Sequence, residues 1–150
     1  MTMSSNYGFE FLDHPADVSV HAWGSSFTSA AEGCVDALIQ TMVDPSDIRE
    51  IEEYHYEYME ETDSTLESIL VGFLSEILYR FDTESILIKT LKLKLIERYG
   101  KPYALIGSSW GEKFDSRRHH ARTEVKAITY SYLRIQITSL RVDIWIVYDI

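Results

Sequence analysis

Two short stretches carry carboxylates in settings where carboxylates need partners. "DHPAD" places Asp13, His14 and Asp17 between two strand-like runs, and the closing "VDIWIVYDI" puts Asp149 one residue from the backbone carboxylate of Ile150. Negative groups beside a hydrophobic strand repel one another unless something positive joins them. Hard divalent cations take several oxygen ligands, which carboxylates at a rigid turn supply. A ligand set rich in oxygen and poor in sulfur favours calcium or magnesium over zinc. The plainer readings are a turn cap for Asp13, a solvated strand end for Asp17, a turn or core role for His14, and an ordinary exposed terminus. Spacing alone does not make the two segments meet, so both sets of readings stay open at this level.

Other residues could join such a site. In "TEVKAITY", Lys126 alternates with Val125 and Ala127, so Glu124 and Lys126 are expected on the side of Ile128, an otherwise apolar face. A lysine there needs a carboxylate or phosphate partner, or lies with its stem along the strand edge and its charge in water. Glu76 follows Phe73 by three and borders the apolar stripe of a helix, where it faces the carboxylates or Lys126, or pairs with Arg80 at i+4. "KFDSRRHHAR" concentrates positive charge in Lys113, Arg117, Arg118, His119, His120 and Arg122. It reads as a phosphate or acidic-partner patch, or equally as a solvated loop. The sequence holds no GxSxG, P-loop, GxGxxG, HExxH or CxxC pattern. Cys34, in the middle of an apolar helix face, is a poor nucleophile.

The elements that must position these residues are legible from periodicity. Tyr7–Leu12 and Asp17–Gly24 read as strands around the hinge. Ser25 or Ser26 caps a helix reaching Met42, with Asp44-Pro45 ending it. Tyr54, Tyr56 and Tyr58 alternate with Glu53, His55 and Glu57, as in a strand with one solvated face. Asp63 or Ser64 caps a second helix, Leu66–Phe81. Four strands follow: "SILIKTLKLKLIER", "YALIGSSWGE", "EVKAITYSYLRIQI" and the C-terminal run. The order predicts an α+β single domain, two helices on one face of a largely antiparallel or mixed sheet. Residues 1–8 are expected to be a short N-terminal extension and 9–150 the domain.

The 150 residues contain 24 acidic and 14 basic side chains, a formal net charge of −10. That argues against a broad nucleic-acid face, which needs basic surface. With Cys34 as the single cysteine, no intrachain disulfide forms, and a reducing compartment, cytosol or nucleus, is expected. No signal peptide or membrane span is expected either.

"FLDHPADVSVHAWG", "LVGFLSEILYRF", "GSSWGEKFD", "TEVKAITYSYL" and the terminal "IVYDI" together resemble the archease family, over about residues 9–150. The resemblance is nearer to eukaryotic than to archaeal members. It implies a small α+β protein that is not itself a catalyst but a cofactor of the GTP-dependent RNA ligase of tRNA splicing. Such a cofactor promotes guanylylation and turnover of the ligase, touches tRNA only indirectly, and binds a divalent metal, typically calcium. Residue by residue, Asp17 and Asp149 match the metal-binding aspartates, Asp13 the first hinge aspartate, and Ile150 the terminus that reaches the metal. Lys126 and Glu76 match a lysine and an acidic residue implicated in function. Many members have Thr where Pro15 stands, which removes a hydroxyl and an N–H from the hinge. The rival readings are a metal-dependent phosphohydrolase using Asp13, Asp17 and Asp149, and a chaperone-like or RNA-modification adaptor that docks through its helices.

Overall fold

The computed structural model describes residues 7–13 and 16–150, so His14 and Pro15 of the hinge lie outside the described residues. Among the described residues, seven strands and two α-helices form in the order β1 (Tyr7–Leu12), β2 (Val18–Gly24), α1 (Phe27–Met42), β3 (Glu52–Met59), α2 (Leu66–Glu84), β4 (Ile86–Arg98), β5 (Lys101–Lys113), β6 (Ala127–Ile137) and β7 (Val142–Asp149). The α+β class is as expected. The strands divide between two antiparallel sheets rather than one, a four-stranded sheet in the order β1-β2-β7-β6 and a three-stranded sheet in the order β3-β5-β4.

The helices start where side chains satisfy orphan backbone N–H groups. Ser26 caps α1 and Ser29 reaches back to the Ser26 backbone, closing a reciprocal box. α2 is capped the same way by Thr65 and Ser68, two residues past the expected Asp63 and one past Ser64. Asp63 instead takes a positive φ of 54°, so it turns the chain into the helix. Asp44 caps a short 3-10 helix, Pro45–Asp47, that follows α1.

α1 buries Ala30, Ala31, Cys34 and Leu38 completely. The opposing row on the four-stranded sheet is Val20 and Ala22 of β2 with Ile144, Ile146 and Tyr148 of β7, all essentially buried. The Tyr148 hydroxyl donates to the Cys34 carbonyl at 2.6 Å, tying β7 to the middle of α1. Burial pushes the Cys34 thiol far above its usual range, in keeping with a structural cysteine. α2 packs over β3. As expected, Tyr54, Tyr56 and Tyr58 face inward and Glu53, His55 and Glu57 are exposed. A side chain at Gly72 would collide with the Tyr58 ring at 2.1 Å, so this glycine lets the ring lie on the helix. α2 also packs against β6, which joins the two sheets. Among the described residues no helix is long and apolar enough to cross a membrane.

Candidate functional site

β7 is an interior strand of the four-stranded sheet, and its end is where the candidate residues gather. Val18 pairs with Tyr148 in the antiparallel β2–β7 register, which leaves Asp17 at the next position, opposite Asp149. On the other side Ala127 pairs with Asp149, and the Lys126 N–H donates to the Asp149 carbonyl at 2.7 Å. Asp17, the tail and the lysine of "KAITY" therefore meet at one end of one sheet, although Asp17 is more than a hundred residues from the other two.

The convergence is partial. Asp13 is exposed and lines a groove on the face of the sheet away from α1, beside Ser19, Trp145 and Val147. Asp17, half-buried, lines a separate depression of about 290 Å3 with Gln40, Thr41 and Arg122. Asp149 is half-buried and Ile150 is 38 % exposed. Among the described residues no three His, Cys, Asp or Glu side chains form a group. The donors at this end of the sheet are all oxygens, which suits a hard cation.

Lys126 does not lie on the apolar face. β6 starts at Ala127, and Glu124 and Lys126 are exposed. The physical reason is a change of period: Val125 and Ile128 are both buried, a spacing of three that regular strand alternation does not give. Glu76 is half-buried on α2. Arg80 does not reach back to it. Its guanidinium bonds Glu84 at 3.0 Å and lies 4.3 Å from the centroid of the Tyr56 ring.

The basic loop is folded in part onto acidic partners: His119 and Arg118 turn inward, while Lys113, Arg117, His120 and Arg122 stay exposed. Glu112, at the end of β5, is 5 % exposed. It accepts the Arg49 backbone N–H at 2.7 Å, the His119 Nε2 at 3.0 Å and the Arg118 guanidinium. The Asp115 N–H donates to His119 Nδ1 at 2.8 Å, so a neutral imidazole with its proton on Nε2 satisfies both contacts. Burial pushes the Glu112 carboxyl up, but these donors outweigh it and hold it at about 2. Arg117 pairs with Asp115 at 3.2 Å and Arg122 with Asp44 at 3.7 Å.

A second polar network escapes sequence reading altogether. His21 places Nδ1 2.8 Å from Glu10 and Nε2 2.7 Å from Asp143, and Arg141 grips Asp143 with two bonds of 3.0 Å. Burial acts to raise the Asp143 carboxyl, but the His21 and Arg141 bonds prevail and hold it below its usual range. The His21 ring stacks on Trp145 with centroids 4.7 Å apart, and Arg134 lies 4.1 Å over the same indole. His21 and Asp143 are 122 positions apart, so no local motif signals them. The available signal is that polar His21 and Asp143 each interrupt an apolar strand.

The model of the Archease protein family (MTH1598/TM1083) matches residues 9–150. A Caenorhabditis elegans protein named archease-like is 32% identical over 142 residues, covering 95% of this chain and 89% of its own. A Danio rerio archease is 35% identical (95% and 85% covered) and a Pyrococcus furiosus archease 36% identical (85% and 87% covered). The solution structure of Methanobacterium thermoautotrophicum protein 1598 superposes with a TM-score of 0.76 at 28% identity, covering 95% of this chain and 99% of that one. A Thermotoga maritima archease described as a possible chaperone shares the fold, with a TM-score of 0.58 at 18% identity and coverage of 93% and 94%. By sequence and by fold, the chain belongs to the archease family.

Proposed function

We propose that this chain is a metal-binding accessory factor that activates the GTP-dependent RNA ligase of tRNA splicing, promoting its guanylylation and repeated turnover. Family membership supports the reading, and one observation carries it: the sheet register sets Asp17 opposite Asp149 with the Lys126 amide on the Asp149 carbonyl. Three segments matching the family's functional motifs thus share one sheet end, beside the exposed Asp13 and Ile150. Asp17 and Asp149, with Asp13 and the Ile150 carboxylate, would hold a divalent cation, calcium first among the candidates for an all-oxygen set. The cation would supply charge organisation around phosphates at the ligase site, with Glu76 and Lys126 acting toward the partner. The protein itself breaks no bond in this reading, and contacts tRNA only through the ligase. The net charge of −10 agrees with that.

The test is multiple-turnover RNA ligation and ligase guanylylation by the matching ligase, with and without the chain, beside Asp17→Ala and Asp149→Ala. Stimulation by wild type that both folded variants lose supports the reading. Wild type without effect on either assay sinks it and favours the chaperone-like adaptor.

A further inference from the structure

The face of the four-stranded sheet away from α1 carries a groove of about 690 Å3. Its floor is Trp145 and Val147 of β7 with Ser19 of β2, one wall is Leu12 and Asp13, and the other is the β6 segment through Tyr132. That wall is a deliberate irregularity. Thr129 pairs with Val147 and Arg134 with Trp145, so four residues, 130–133, stand opposite Ile146 alone. The bulge holds Tyr132 at a φ of 58°, a left-handed conformation that costs a tyrosine energy and that concentrates at functional sites. It leaves Tyr132 83% exposed, and on the other side of the groove Leu12 is 40% exposed. Aromatic residues around a preformed apolar groove are the usual anchor points of protein interfaces.

The charge around the groove selects the occupant. Arg134, the cation among the lining residues, is already committed to the Trp145 face and to Gln136 Oε1 at 3.3 Å. Asp13 stands in the wall, and the Asp17–Asp149 end of the sheet lies two residues beyond Ser19 and Val147. With Arg134 committed and Asp13 exposed in the wall, the charge left open at this end of the groove is negative.

We propose that the groove is the docking site for a loop of the partner protein that inserts one bulky apolar side chain between Leu12 and Tyr132, above Val147 and beside the already stacked Trp145, and sets a neighbouring arginine or lysine against Asp13. This rests on the partner-protein reading above and adds the surface and the chemistry of the contact. The His21–Asp143–Arg141 network lies on the same face, beside the floor, and the stacked His21 fixes the indole plane from that side.

Two measurements test it. In the first, binding of the purified chain to the matching RNA ligase is compared for wild type, Tyr132→Gly and Leu12→Ser. Tyr132→Gly is diagnostic because glycine accepts a positive φ without cost, so its Tm should hold or rise while affinity falls at least tenfold. Wild-type binding with unchanged affinity in both variants overturns the groove and leaves the ligase reading standing. In the second, the 15N-labelled chain is titrated with an amidated peptide of leucine, tryptophan, arginine and lysine, and with the same peptide carrying glutamates for the basic residues. Shifts at Ser19, Trp145 and Val147 with the basic peptide alone support the proposal even where the ligase does not bind. No shift, or equal shifts with both peptides, overturns it. A wild-type dimer that Tyr132→Gly abolishes assigns the groove to a second copy, and also overturns it.

Discussion

The Lys126 amide and the Asp149 carbonyl are 2.7 Å apart, and this one bond continues the β6–β7 ladder past the first residue of β6. It locks the backbone of the lysine segment to the strand end that carries Asp149. The lysine side chain takes no part in the bond and is left exposed. Backbone placement and side-chain function are therefore separable at this position.

Two substitutions at Lys126 exploit that separation. Lys126→Ala keeps the N–H, so the thermal midpoint should stay near wild type while stimulation of the ligase falls. Lys126→Pro deletes the donor, which costs about 1 kcal/mol for an ordinary backbone hydrogen bond, and should lower the midpoint and the stimulation together. Differential scanning fluorimetry beside ligation assays reads both. If Lys126→Ala stimulated like wild type, the side chain would have no functional part.

Glu112 contributes to the acid limb of stability, beside Asp143. Its carboxyl is held at about 2, against an ordinary value of 4.5, so the native state binds fewer protons than the unfolded one between those values. Stability from this group is fully present above pH 4.5 and is lost as pH falls toward 2. Glu112→Gln should cost about 1.5–3 kcal/mol at pH 7, the range for hydrogen bonds to a charged group. It should also flatten the decline between pH 4.5 and 2, as read by urea unfolding at a series of pH values. An unchanged acid limb in the variant would assign the decline to other carboxylates.

Asp36 works with the opposite sign. Burial, offset in part by the bond from the Tyr7 hydroxyl at 2.7 Å and reinforced by Glu32, raises its carboxyl to about 6. The native state then holds the extra proton, and the group's contribution to stability falls as pH rises from about 4 through 6. Lys89, which lowers the value, is the cation that faces it. Asp36→Asn keeps an acceptor for Tyr7 and removes the titration. Its midpoint relative to wild type should therefore climb between pH 4 and pH 7, and a difference that stays flat over that range would refute the assignment.

Local patterns in the sequence were enough for α1, α2 and the tyrosine face of β3, because the 3.6- and 2-residue periods are written in neighbouring residues. The split into two sheets was not legible, since pairing β7 with β2 rather than with β5 is decided across more than a hundred residues. The hinge and tail stand out through their motifs. The folded-back basic loop did not, because its neutralising partner, Glu112, reads as an ordinary strand residue of "GSSWGE". Lys126 was misplaced for a related reason: alternation was extended three residues before the strand that β6 actually forms.

Two glycines separate steric from conformational demand, and one of them governs that loop. Gly100, in the β4–β5 turn, has a φ of +75° and open space where a side chain would go. Gly100→Ala should therefore cost only the left-handed penalty, about 1–2 kcal/mol. Gly111 is the reverse: a Cβ there would sit 1.8 Å from the Leu87 carbonyl oxygen and 3.2 Å from the Ile88 Cα. Backbone cannot swing aside as a side-chain end does, so Gly111→Ala must push β5 away from β4 at the register shift between Ile88 and Thr90. The next residue is Glu112, whose bonds to Arg49, Arg118 and His119 depend on β5 staying in place. The substitution should cost more than Gly100→Ala and free the loop from its acceptor. Limited trypsin digestion reads this directly, as faster cleavage after Arg117 and Arg118 in Gly111→Ala than in Gly100→Ala. Equal cleavage in the two variants would show that the loop is held without Glu112.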